Sequence, residues 1–128
     1  MTNPYAVEDF VDSIELAALN YDQWIVTVAL RAYAAGDVVG MVHLTFTAVA
    51  GFRCLDEGDM LSFPWPENAT RWYVHRLSGS GWLNQEQSLG NTTMGDDTWD
   101  EYLVATGNEC VSIIAQCDPV ITKELPHQ

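Results

Sequence analysis

Chemistry in this chain would have to come from three histidines, three cysteines, one glycine-serine turn and two acidic turns. His43 and His75 lie in apolar, β-branched stretches, and His127 lies in the tail. A general acid or base needs a positioned partner within hydrogen-bond reach, and the sequence places none beside either strand histidine, so both read as structural. Cys54, Cys110 and Cys117 fall in or beside expected strands, which favours reduced thiols without a disulfide framework. Acidic neighbours raise a thiol's pKa, so Cys110, which follows Glu109, reads as a core residue and not as a nucleophile. Gly79-Ser80-Gly81 lacks the lysine of a phosphate loop and the strand-to-helix setting of a nucleophile elbow.

The acidic turns are Asp56, Glu57 and Asp59, and Asp96, Asp97, Asp100 and Glu101. Neither has the alternating oxygen-ligand spacing of a calcium loop, and no cysteine pair has zinc spacing, so no metal or other cofactor is expected. Solvated carboxylates of this kind keep ordinary pKa values and suit recognition of cations better than acid-base catalysis. Aromatic residues accompany them. Trp65, Trp82 and Trp99 fall in loops or at strand ends, where an exposed ring beside a carboxylate forms a protein-binding hot spot or a pocket for a cationic or sugar ligand. The competing reading is that these rings cap the open ends of a small sheet.

Composition sets the limits. Eighteen acidic residues against Arg31, Arg53, Arg71, Arg76 and Lys123 give a formal net charge of −13. Such a surface repels nucleic-acid phosphates and anionic lipid headgroups and attracts basic proteins in a salt-sensitive way. The 128 residues, 48% of them hydrophobic, fit one domain with an ample core. No apolar run approaches the roughly 20 residues that cross a bilayer, and the opening MTNPYAVEDF has no basic start followed by an apolar block. A cytoplasmic protein that engages neither nucleic acid nor membrane is expected.

The elements that must position these groups are mainly strands, organised around Val38 to Leu55, which reads as one central strand. Residues 1–12 read as a loose lead-in. Ser13 to Tyr21 reads as a strand, Asp22-Gln23 as a turn, and Trp24 to Tyr33 as a strand whose apolar face carries Trp24, Val26, Val28 and Leu30. With the turn Ala34 to Asp37 these make a meander over residues 13–55. Arg71 to Leu77 is expected to form a hairpin with Trp82 and Leu83 across Ser78 to Gly81, and Tyr102 to Ala105 a second one with Glu109 to Ala115. Residues 118–128 read as a tail in which Val120-Ile121 adds an edge strand. The expected fold is mainly β, or α+β with minor helix. It is an antiparallel sheet with a meander plus two hairpins, in a single layer or partly closed barrel with short helical turns.

The apolar strand from Val39 that runs into GFRCLDEGDML, together with EYLVATGNECVSIIA, resembles a pattern of small acidic bacterial proteins of unknown function, some grouped with polymorphic-toxin immunity proteins. The resemblance spans roughly half of the chain, implies a β-rich fold with a C-terminal hairpin, and carries over no catalytic residues. Immunity proteins are commonly small and acidic because they neutralise basic toxin domains.

The resulting expectation is a non-enzymatic acidic protein that binds a basic protein partner as an immunity or antitoxin-like protein. Its binding residues would be Asp56, Glu57, Asp59, Trp65, Trp82, Asp96, Asp97, Trp99 and Asp100. One alternative is a small-molecule-binding or hydrolytic domain with a pocket at Trp65, His75 and Trp82. Another is a structural homodimer subunit that uses the Tyr102 to Ala115 hairpin as its edge.

Overall fold

Period-two alternation of β-branched and aromatic residues builds the chain into strands, and the computed structural model describes residues 5–56, 71–77, 99–106 and 109–126. In chain order the strands are β1 (Ser13–Asp22), β2 (Ile25–Ala34), β3 (Asp37–Phe46), β4 (Val49–Asp56), β5 (His75–Leu77), β6 (Asp100–Ala105), β7 (Glu109–Ala115) and β8 (Val120–Glu124). They form two antiparallel four-stranded sheets, β1-β2-β3-β8 and β4-β7-β6-β5. The fold is mainly β as expected, with no helix among the described residues and no closure into a barrel. The sheets share one core instead of forming a single layer. Val26, Val28, Leu30, Val42, Leu44 and Phe46 from the first meet Tyr102, Val104, Val111, Ile113 and Ala115 from the second.

The first meander is present in β1 to β3, but the expected central strand is two strands. The chain breaks at Thr47-Ala48, where Ala48 takes φ 53°, and β4 leaves for the second sheet. There it pairs with β7, Cys54 opposite Val111. The Arg71 to Leu77 strand shortens to β5 and pairs with β6 through His75 opposite Leu103, while Trp82 and Leu83, its expected hairpin partners, lie outside the described residues. The β6–β7 hairpin forms, closed by Thr106 N–H donating to the Glu109 carbonyl at 2.9 Å. It occupies the centre of its sheet and is buried on both faces, so it is not the edge that the homodimer reading required. Val120-Ile121 does open an edge strand, β8, against β3.

The lead-in is not loose over its described part. Val7 and Val11 are buried in the core, Ala6 bridges Trp72, and Arg71 donates to the carbonyls of Val11 and Glu8 at 2.7 and 3.2 Å. Glu8 is the hub. It accepts from the Tyr73 hydroxyl at 2.6 Å and from Lys123 Nζ at 3.1 Å. Burial works against its charge, but these hydrogen bonds outweigh it and hold the carboxyl below its ordinary value.

A carboxylate depressed in this way stabilises the fold above its unfolded value near 4.5, and that contribution is lost as pH falls through the lower folded value. Glu8→Gln is expected to lower the melting temperature at neutral pH, with the gap to wild type closing as the pH is taken below that range. A gap that stays constant into strong acid would assign the loss to packing instead.

Candidate functional site

Most of the residues that sequence reasoning selected for partner binding, Glu57, Asp59, Trp65, Trp82, Asp96 and Asp97, lie outside the described residues. Asp56 ends β4 opposite Glu109. Trp99 is half-buried just before β6, and Asp100 opens that strand, half-buried and accepting from Arg76 Nη2 at 3.0 Å. Asp100 is therefore tied into the sheet and is not a free acid. Of the alternative pocket, only His75 is described; its ring lies 5.9 Å from that of Trp72.

The second sheet collects polar side chains where none would be expected. Register places Arg53 opposite Ser112 and Ser112 opposite Leu103, which in turn faces His75; Cys110 lies opposite Ala105, and Glu101 opposite Ile114. By the alternation of strands, Arg53, His75, Glu101, Cys110 and Ser112 share the face turned away from the common core. Glu101, Cys110 and Ser112 are all at least 98% buried.

This constellation is not a nucleophilic centre. Burial pushes the Cys110 thiol up to about 12, with Cys54 and Glu101 adding to the rise and Arg53 and the Ser112 hydroxyl only moderating it. His75 stands two strands from Cys110, roughly 10 Å at ordinary strand spacing, too far to take its proton. Among the described residues no three His, Cys, Asp or Glu side chains come together to hold a metal ion. At mildly alkaline pH a thiol reagent is expected to reach the exposed Cys54 and Cys117 in the native chain, and Cys110 only after denaturation. Fast native labelling of all three would contradict the buried placement.

Among the described residues, what the fold presents to solvent is charge, the exposed Val38 and Val120, and an aromatic tip. Every lysine and arginine of the chain is described, and each is engaged. Arg31 pairs with Glu15, Arg76 with Asp100 and Lys123 with Glu8. Arg71 is spent on two backbone carbonyls, and Arg53 is half-buried and also partnered. Among the described residues these pairs engage Glu8, Glu15 and Asp100 and leave other carboxylates at the surface. Asp9, Asp12, Asp22, Asp37, Asp118 and Glu124 are exposed on the first sheet and its connections.

Sequence reasoning missed the aromatic tip. Trp24 does not extend the apolar face of β2, where Val26, Val28 and Leu30 are buried as expected; it stands in the β1–β2 turn and is 66% exposed. The turn is Gln23-Trp24, one residue later than the expected Asp22-Gln23, and a slip of one residue decides whether a side chain faces core or solvent. No sequence signal marked it, because Gln23-Trp24 lacks the glycine or asparagine that announces a two-residue loop with positive φ.

No helix among the described residues is long and apolar enough to cross a membrane. No family model matches the chain, and no curated protein or solved structure matches it.

Proposed function

We propose that this protein is a non-enzymatic acidic binding protein that engages a basic protein partner, in the manner of an immunity or antitoxin protein. The observation that carries the reading is the commitment of all five cations to partners inside the fold, under a formal net charge of −13. A partner therefore meets carboxylates that have few internal counter-ions. Complementary charge of this kind raises association rates, discriminates against acidic competitors and weakens with salt. The full burial of Cys110, which raises its thiol's pKa, favours binding over chemistry at that thiol.

The test is affinity capture from a lysate of the source organism at low salt, followed by elution along a salt gradient and identification by mass spectrometry. A single basic protein released at moderate salt, in a constant ratio to the bait, is the expected result. Recovery of no stoichiometric basic protein would remove this reading.

A further inference from the structure

The two hairpins of the first sheet are built on the same backbone turn with different residues. Asp22 pairs with Ile25 and Ala34 with Asp37, so each hairpin encloses two residues. Ala35 and Gly36 take φ 52° and 84°; Gln23 and Trp24 take φ 45° and 72°. A turn with two positive φ values favours glycine at its second position, where a β-carbon is strained. The β2–β3 turn obeys this with Gly36. The β1–β2 turn places there the largest side chain available and leaves it 66% exposed.

Neither strain nor exposure helps the fold, yet the tip is braced from beneath. The Trp24 carbonyl accepts from Val49 N–H at 3.0 Å, fixing the turn to the start of β4. The Tyr21 ring lies 5.3 Å from that of Phe52, tilted by 33°. Ile25, 41% exposed, shares its face with exposed Asp22 opposite it, whereas Tyr21 lies on the other face with Val26 and braces the turn against Phe52. A strained residue held by its surroundings and open to solvent is a mark of function.

We propose that this tip, formed by Asp22, Trp24 and Ile25, is where a lysine- or arginine-bearing segment of a protein partner docks. The inference rests on the acidic-binding reading above and gives it a location. Charge complementarity selects the occupant. A second copy or an anionic bilayer would bring like charge to a chain of net charge −13, whereas a lysine or arginine offers a stem for Trp24 and Ile25 and a cation for the indole face and for Asp22. Exposed tryptophan and tyrosine are the side chains most often found to anchor such contacts.

The experiment titrates the full-length ¹⁵N-labelled chain at low salt with a ten-residue peptide of alternating lysine and threonine, and with its glutamate counterpart. Expected are amide shifts centred on residues 22–25 and on Val49, whose N–H donates to the Trp24 carbonyl, with the lysine peptide only. Trp24→Gly, which relieves the turn, is expected to raise the melting temperature while weakening the lysine peptide about three- to fivefold. Shifts confined to other acidic surfaces would overturn the docking site and leave acidic binding standing, whereas no shift anywhere would remove both. A lower melting temperature for Trp24→Gly would make Trp24 a structural residue. Sedimentation of the chain with zwitterionic vesicles, abolished by the same substitution, would make the tip a lipid anchor; either result overturns the proposal.

Discussion

Phe46→Ala is expected to cost about 3–5 kcal/mol, a large share of the stability of a domain this size. Phe46 ends β3 fully buried, with its ring 5.5 Å from that of Tyr102 in the other sheet. It therefore joins the two layers as well as filling one of them. Tyr102 has little freedom to move into the space left behind, because its hydroxyl donates to Asp118 at 2.5 Å. Urea denaturation should show a much lower midpoint with little change in slope. A loss below about 1 kcal/mol would mean that the two sheets do not meet at this ring.

Gly40→Ala is expected to be destabilising, by about 1–3 kcal/mol, although the same exchange within a strand ordinarily helps. A β-carbon at Gly40 would lie 2.1 Å from the Glu124 carbonyl oxygen and 2.8 Å from Leu125 Cδ2. The first of these is backbone and cannot rotate away. β8 must lift at its end, disturbing the pairing of Met41 with Glu124 and Val42 with Lys123 and, with Lys123, its contact to Glu8. Faster amide exchange through β8 than through β2 would accompany the loss. Unchanged stability would show that β8 does not approach β3 this closely.

The legible part of the fold was the part written in local pattern. Alternation in Val26 to Leu30 and in Val42 to Phe46 marks buried faces directly, and Ala35-Gly36 announces its turn. The break at Ala48 had no such mark, because alanine in a left-handed conformation is uncommon and carries no signal. The pairing of β5 with β6 joins residues more than twenty positions apart, beyond the reach of a hairpin rule. Strands β6 and β7 are buried on both faces although they carry Glu101 and Ser112, and polar residues in strands are ordinarily read as facing solvent. At the candidate surface, the charge was legible from simple counting. The commitment of each cation was not, since the pairs Arg31–Glu15 and Lys123–Glu8 depend on strand register and on how the lead-in meets β8. Trp24 was hidden by one residue of register.

The most direct test of an acidic surface that binds a basic partner is calorimetric titration of the captured protein into this chain at two salt concentrations. The dissociation constant is expected to rise about tenfold or more between about 50 and about 300 mM salt, carried mainly by a slower association rate. A constant that stays the same across that range would contradict the account, because the contact would then owe nothing to the charge that the fold leaves at its surface.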